Sequence, residues 1–173
     1  MRPGDMVQSE VEGAIERIHA PIGKLVVRFE HLADALRQIS VRCFERHGLA
    51  KPSLAELALS GLTAGLLVTA FESMVRESTN LTDSQENLLA EIVRRTRPLI
   101  QKRNIVIHGR WHWIDFATFP EGLPDGLVQM SRRTTSGLKT DLHVFRPGDI
   151  DPILEEIDNV LALTRRLKDD LAA

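Results

Sequence analysis

Residues 22–43 read IGKLVVRFEHLADALRQISVRC, and this stretch constrains the fold more than any other. Its apolar positions step by three and four residues in strict alternation: Ile22, Leu25, Phe29, Leu32, Leu36, Ile39 and Cys43. A stripe with this spacing occupies one side of an α-helix and is typical of a helix that packs along another helix. We therefore predict a long helix here, opened by Pro21 at its first turn and ended by Gly48.

Three other segments show helical periodicity. Residues 6–18 form a candidate short amphipathic helix. The segment from Leu54 to Met74 is apolar almost all round, which predicts the central buried helix, with Ser53 as its cap. Near the C-terminus, a helix capped by Asp149 or Asp151 carries one apolar face, made of Ile153, Ile157, Val160, Leu167 and Leu171.

A further helix is expected after a break at residues 79–83. Thr82 or Asp83 caps it, and its periodic pattern continues to about His108. Pro98 lies on the polar side of this segment, so the helix is expected to kink there or to divide into two pieces.

Beyond Gly109 the apolar residues recur with a period of two, which is typical of β-strands. Residues 111–116 alternate in this way, and strand-like runs follow at residues 127–132 and 139–146. Loops rich in glycine, proline and hydroxyl residues separate the runs. The predicted fold class is mainly α: a bundle of four or five helices, with a small antiparallel β-meander inserted at residues 110–146 before the C-terminal helix.

The composition is that of an ordinary globular protein. The 173 residues suit a single domain over residues 1–173, with 43% hydrophobic and 27% charged residues. A net charge of −2 excludes an overall basic coat, so contact with nucleic acid would need a local patch. Cys43 is the only cysteine, which excludes an intrachain disulfide, and no segment is typical of a signal peptide or a membrane span. We expect a cytoplasmic protein without membrane association.

One cation interrupts the apolar stripe of the helix that ends near His108. The stripe positions are Leu89, Ile92, Thr96, Leu99, Arg103 and Val106. At about 100° per residue, Arg103 falls only about 20° from Ile92, in the middle of the apolar arc. A guanidinium keeps its proton, so burying it requires a carboxylate, a phosphate or a wet interface. Arg103 is therefore the first candidate functional residue.

Positive charge is concentrated around this position. Between Ile92 and Ile114 the chain has six cations and no acidic residue: Arg94, Arg95, Arg97, Lys102, Arg103 and Arg110. Cations beside an aromatic residue suit the phosphates and bases of RNA. The candidate RNA-binding residues are Arg97, Lys102, Arg110 and Trp111. Tryptophans at strand spacing are, however, more often a buried face than a stacking surface.

Two further residues share the end of this helix with Arg103. Asn104 and His108, four positions apart, lie on one face, whereas Arg103 and His108 are separated by about 140°. A long arginine side chain can still curl round toward the imidazole. Together the three supply a fixed positive charge, a group that exchanges protons near neutral pH and an orienting amide. Metal-free RNA cleavage needs these groups: His108 would move a proton, and Arg103 would stabilise charge on the phosphate.

The run Arg-Asn-x-x-x-His-Gly at residues 103–109 resembles the Arg-x4–6-His motif of HEPN domains, which often has asparagine directly after the arginine. HEPN proteins are all-α bundles, commonly dimers, and many are metal-independent ribonucleases of toxin–antitoxin or phage-defence systems. The resemblance covers roughly residues 22–110 and implies catalytic Arg103, Asn104 and His108. It also implies a homodimer in which two motifs meet at a shared cleft, RNA as substrate, an antitoxin protein as a further partner, and no metal or cofactor.

Other interpretations of these residues stay open. A histidine in the last turn of a helix, followed by glycine, is also produced by simple capping. Arg103 would then be the partner of a core acid such as Glu30, Glu56 or Glu72. The alternative function is a non-catalytic HEPN-like module that binds RNA, a nucleotide or a protein.

The motif spacing occurs a second time in the chain. Residues 42–48 also read Arg-x4-His-Gly. Here, however, Arg42 flanks the apolar stripe of its helix instead of interrupting it. We therefore interpret Arg42 and His47 as structural residues, since short motifs often match by chance.

Overall fold

The computed structural model describes residues 3–112, 126–135, 137–146 and 148–172. In this part of the chain the helices are α1 (Pro3–Arg46), α2 (Pro52–Ser60), α3 (Ala64–Ser78), α4 (Asp83–His108) and α5 (Asp151–Asp170). A small sheet between α4 and α5 has the strands β1 (Arg110–His112), β2 (Gly126–Thr134) and β3 (Gly137–Phe145). The mainly α fold class with a β insertion is confirmed. No helix among the described residues is both long and apolar enough to cross a membrane.

Contacts between the described residues cluster in two compact units. One unit combines residues 1–26 with residues 102–154, and it therefore includes the end of α4 and the sheet. The other unit combines residues 27–101 with residues 155–173. The predicted functional residues Arg103, Asn104 and His108 all lie in the first of these units.

The long apolar stripe on α1 is buried, as the spacing predicts. Its members from Leu25 to Cys43 are at most 5% exposed. The predicted start of this helix is wrong, because α1 is continuous from Pro3 with Pro21 inside it, so residues 6–18 are not a separate helix. A proline removes only one backbone hydrogen bond, and the turns on either side can carry the helix past it. The predicted end is confirmed: α1 stops at Arg46, and Gly48 has a φ of 87°.

The expected central buried helix from Leu54 to Met74 is a further correction. The segment forms two helices, α2 and α3, separated by residues 61–63. Three of its leucines are more than half exposed: Leu54, Leu57 and Leu66. Ser53 is not the cap, because Lys51 occupies the N-cap position and Pro52 begins the helix. Apolar residues all round a helix do not show how many of its sides neighbouring elements cover.

Helix α4 begins with Thr82 as its cap, one of the two residues that the sequence predicts, and the cap is reciprocal. The Thr82 amide donates to Gln85 Oε1 at 2.9 Å, and the Gln85 amide donates to Thr82 Oγ1 at 3.3 Å. Pro98 lies inside α4 on its exposed side and does not divide the helix. One continuous helix therefore runs from the cap to His108.

The sheet is an antiparallel meander with the strand order β1-β2-β3. Trp111 in β1 is opposite Val128 in β2, and Ser131 in β2 is opposite Thr140 in β3. The meander is confirmed at these strands, whereas the predicted strand residues 113–116 lie outside the described residues. On α5 the predicted apolar face is buried at Ile153, Ile157, Val160 and Leu167.

Candidate functional site

Arg103 and His108 are in direct contact at the end of α4. Nη1 of Arg103 lies 2.9 Å from Nε2 of His108. A guanidinium has only donors, so in this contact the imidazole nitrogen must be the acceptor and carries its lone pair toward the arginine. The side chain of Arg103 thus bridges the angle of about 140° that separates the two positions on the helix.

Asn104 completes the cluster. The same Nη1 atom of Arg103 lies 3.3 Å from Oδ1 of Asn104. One guanidinium nitrogen therefore contacts both the amide and the imidazole, which lie four positions apart on α4. The structure brings together the three residues that the sequence predicts at the site.

Arg103 interrupts a stripe that is otherwise closed to solvent. The apolar neighbours on the stripe, Leu99 and Val106, are each 1% exposed, whereas Arg103 is half-buried and His108 is exposed. The Nε atom of Arg103 is buried, whereas the imidazole that its Nη1 atom contacts belongs to an exposed residue.

Two of the acids suggested as partners of Arg103 pair with other arginines. Glu72 contacts Arg76 and Arg97 at 3.4 and 3.2 Å, and Glu30 contacts Arg37 at 3.7 Å. Glu56, the third acid, is exposed on α2. In the described residues these three carboxylates therefore do not account for the position of Arg103.

Gly109, directly after the last residue of α4, lies close to β2. The Gly109 amide donates to the Ile105 carbonyl at 3.0 Å. A Cβ atom at residue 109 would lie 2.0 Å from Cγ1 of Val128 and 2.4 Å from the Ile105 carbonyl oxygen. Only glycine fits there, so His108 is held at the last turn. The sequence predicts the helix end at Gly109, but nothing in a local pattern identifies Val128 as its neighbour.

Trp111 follows the site on β1 and is half-buried. Its indole Nε1 donates to the Val106 carbonyl at 2.9 Å, which satisfies one of the free carbonyls at the end of α4. Its ring centroid lies 5.4 Å from that of Phe145 on β3. Trp111 thus ties the helix end to the sheet, and its stacking on RNA bases stays a prediction.

The cationic run is partly neutralised by acids from outside it. Arg95 donates two hydrogen bonds of 2.6 and 2.5 Å to Glu156 on α5, and these raise the pKa of Arg95. Hydrogen bonding to Arg94 lowers the pKa of Glu91, and Arg97 contacts Glu72. Arg94, Arg95 and Arg97 are therefore paired with acids. The sequence does not indicate the pairs with Glu72 and Glu156, because these acids are remote along the chain.

Lys102 and Arg110 remain as accessible cations next to the site. Both are exposed, and neither forms an ion pair with the described residues. They lie within a few positions of Arg103 and His108 on α4 and β1. Of the predicted RNA-binding cations, these two are the ones best placed to meet an anionic ligand at the cluster.

The second Arg-x4-His-Gly run does not form such a cluster. Arg42 is exposed on α1, and His47 lies beyond the helix end, with its Nε2 atom 3.2 Å from the Ser78 carbonyl oxygen. The described side chains of Arg42 and His47 make no hydrogen bond to each other. The same spacing therefore gives a paired arginine and histidine at only one of the two places.

Comparisons of the chain with protein-family models, curated proteins and solved structures give no match. The chemistry of the site has to be judged from its own side chains. These are a guanidinium on α4 and the imidazole and amide that lie within hydrogen-bond distance of it. Within the described residues, no three His, Cys, Asp or Glu side chains group closely enough to hold a metal ion.

Proposed function

We propose that the protein is a metal-independent endoribonuclease of HEPN type, with Arg103 and His108 as its catalytic residues and Asn104 as the residue that positions Arg103. The contact of 2.9 Å between Arg103 Nη1 and His108 Nε2 is the observation that supports this function most. The three residues occupy the positions of the Arg-Asn-x-x-x-His motif and lie together at the surface, where a polynucleotide can reach them.

Arg103 binds the scissile phosphate. Its guanidinium keeps its charge at all relevant pH values and presents donors in a fork that matches phosphate oxygens. The contacts of its Nη1 atom with Asn104 and His108 limit the motion of the guanidinium. As negative charge builds up on the phosphorus oxygens during cleavage, a donor held in place in this way stabilises the transition state more than the ground state.

His108 moves the proton. In the ligand-free protein its Nε2 lone pair is engaged by Arg103. A phosphate that draws the guanidinium toward itself frees this nitrogen to accept the proton of the ribose 2′-hydroxyl. The 2′-oxygen then bonds to phosphorus and the bond from phosphorus to the 5′-oxygen breaks. The leaving 5′-oxygen takes a proton from water and the His108 imidazolium releases its proton to solvent, which gives a 2′,3′-cyclic phosphate and a 5′-hydroxyl end.

Asn104 positions Arg103. Its Oδ1 atom accepts from the same guanidinium nitrogen that contacts the imidazole. Without the amide the arginine head would have more freedom, and small displacements of a catalytic group reduce the rate strongly. Asn104 acts through Arg103 and need not touch the RNA.

The broader proposal follows the resemblance to HEPN proteins. The protein forms a homodimer whose two motifs share a cleft. It acts as a cytoplasmic toxin or phage-defence effector, and its further partner is an antitoxin protein. The exposure of His108 and of the cations Lys102 and Arg110 supports a site that is open to a large anionic ligand. Lys102, Arg110, Arg97 and Trp111 are the proposed RNA contacts.

Cleavage of RNA by the purified protein in the presence of a chelator tests this function. Substituting Arg103→Ala or His108→Ala is expected to abolish cleavage while the helical circular dichroism signal is retained. The second Arg-x4-His run provides a matched control, because Arg42→Ala and His47→Ala remove the same residue types at the same spacing and should leave cleavage unchanged.

The alternative function predicts a different result. A non-catalytic HEPN-like module binds RNA or another ligand, yet the wild-type protein gives no cleavage products, with or without divalent cations. Detection of 5′-hydroxyl ends that disappear in the His108→Ala variant would support the enzyme. Equal cleavage by the wild-type protein and both site variants would show that a contaminating nuclease is responsible and would remove the support for catalysis.

A further inference from the structure

A cleft lies between the end of α4, strand β3 and the start of α5, within the compact unit that contains residues 102–154. Its volume is about 430 Å³. Pockets that bind small organic groups usually measure about 300–1,000 Å³ and combine apolar walls with a few polar groups. The lining of this cleft includes three apolar and three ionisable residues: Ile105, Phe145 and Ile153, and Lys102, His143 and Asp149. The cleft therefore has the size and the mixed lining of a ligand-binding site.

The three ionisable residues differ in the hydrogen bonds that they form. Lys102 has only donors, the carboxylate of Asp149 has only acceptors, and a neutral His143 has one of each. Neither Lys102 nor Asp149 forms an ion pair with another described residue. The Arg146 amide donates to Oδ2 of Asp149 at 2.7 Å, which holds the carboxylate and leaves Oδ1 for a ligand. A ligand that matches this set has N–H donors, a neighbouring acceptor and an anionic group.

A guanine nucleotide has all of these groups. Its N1–H and N2–H donors are neighbours on the Watson–Crick edge and match the two oxygens of a carboxylate, and its O6 acceptor lies beside them. Adenine has an amino group in place of O6 and no hydrogen on N1, so it does not match a carboxylate and an imidazole donor together. The ring of Phe145, whose centroid lies 5.4 Å from that of Trp111, gives an apolar wall for the base. Lys102 suits the phosphate.

The cleft adjoins the cluster of Arg103 and His108. Lys102, Ile105 and His108 follow one another at steps of three along α4, so each lies next to the following one on the helix surface. The rise of the helix from Lys102 to His108 is about 9 Å. An RNA strand whose phosphate meets Arg103 therefore passes close to the cleft.

We propose that this cleft binds a guanine nucleotide of the RNA next to the cleaved bond. Asp149 accepts hydrogen bonds from N1 and N2 of the base, His143 donates to O6, and Lys102 binds a phosphate of the same strand. Because this subsite serves the proposed ribonuclease, it rests on that function and gives the enzyme a base preference. Strand β3 and the start of α5 thereby select the base, whereas α4 supplies the catalytic groups.

Binding of two matched oligonucleotides tests the base preference. The probes are labelled oligouridines of equal length, one with a single central guanosine and one with adenosine at the same place. Fluorescence anisotropy gives their Kd values in the His108→Ala background, in which RNA stays intact. The guanosine probe should bind about 10-fold more tightly, a discrimination that one good bidentate pair provides. Asp149→Asn should reduce this ratio to nearly one, because the amide replaces one acceptor by a donor.

Two further variants serve as controls. Asp151→Asn makes the same change of charge two positions along the chain, at an exposed residue that lies outside the cleft lining, and should leave the ratio unchanged. Lys102→Ala should weaken the binding of both probes by the same factor, because the phosphate is common to them. Guanosine and adenosine monophosphates, used as competitors, distinguish a base within RNA from a free nucleotide.

Several results would overturn the guanine subsite. These are equal affinities for the two probes, no binding of either probe, or a preference that survives Asp149→Asn. Guanosine monophosphate that binds through Asp149 while the two RNA probes bind alike would also do so, since the cleft would then take a free nucleotide. Cleavage is measured separately with His108 in place. A protein that prefers guanosine without cleaving RNA keeps the guanine site and loses the enzyme, and a protein that cleaves without this preference shows the reverse.

Discussion

Gly109 and Val128 lie so close that a Cβ atom on the glycine would be 2.0 Å from Cγ1 of the valine. Val128 is fully buried and its branched side chain is stiff, so it cannot move aside cheaply. The Ile105 carbonyl oxygen, at 2.4 Å from the same Cβ position, blocks the other direction. The close packing against β2 directly after His108 therefore depends on the missing side chain of Gly109.

Gly109→Ala is expected to lower the free energy of unfolding by about 2 kcal/mol, as overpacking in a tight core contact usually does. Urea denaturation measures this change. Gly23→Ala is the control, because Gly23 lies inside α1 with no atom within 4 Å of its Cβ position. That substitution should raise stability by about 0.5–1 kcal/mol. Equal effects of the two substitutions would contradict the close contact between Gly109 and β2.

Arg103→Lys separates the charge of the site from its geometry. Lysine keeps the positive charge but lacks the planar guanidinium, whose Nη1 atom contacts both Asn104 and His108. RNA cleavage should fall by about 100-fold, a loss typical of removing one donor to a developing anion. The turnover rate under saturating RNA is the measurement, with Arg110→Lys as the control. If the lysine variant is fully active, the guanidinium geometry is not part of catalysis.

Lys102 and Arg110 are expected to contribute to RNA affinity more than Arg97 does. Arg97 already contacts Glu72 at 3.2 Å, whereas Lys102 and Arg110 form no ion pair within the described residues. Lys102→Ala or Arg110→Ala should each reduce the slope of log Kd against log salt by about 0.7 for single-stranded RNA. Arg97→Ala should change the slope less. Fluorescence anisotropy with the His108→Ala background, in which RNA stays intact, gives these slopes.

Glu91 should make stability depend on pH in the acid range. Hydrogen bonds of 2.8 and 2.7 Å from Arg94 hold the pKa of this carboxyl below its ordinary value. The unfolded chain then binds a proton at higher pH than the folded protein does. The stabilisation is therefore complete above the ordinary pKa and is lost as the pH falls through the lowered value. Carboxyl NMR titration should show the low midpoint for Glu91, and Arg94→Ala should raise it. An unchanged midpoint would exclude Arg94 as the cause.

The elements predicted correctly are those whose signal is local. The alternating steps of three and four on α1 and the cap at Thr82 depend on residues within one or two helical turns. The period of two in the strands is equally local. Such patterns indicate an element regardless of where it lies in the molecule.

The wrong predictions concern how elements continue and what covers them. Pro21 remains inside α1 because the surrounding turns support the helix, and the stretch from Leu54 to Met74 divides near Gly61 with several leucines exposed. Burial depends on neighbours that are remote along the chain. Apolar composition by itself therefore cannot distinguish a buried helix from one that presents an apolar face to solvent.

At the candidate site, local patterns were enough to predict a cation that interrupts an apolar stripe. They also predicted the amide and the imidazole that follow it on one helix, because the order of side chains and the geometry of a helix are local. The contacts of these groups came from the folded structure. It joined Arg103 to His108, held the helix end through Gly109 against Val128, and paired Arg95 with Glu156. Which side chains touch and which charges pair depends on distances in the folded protein. The number of residues between two positions in the sequence does not give these distances.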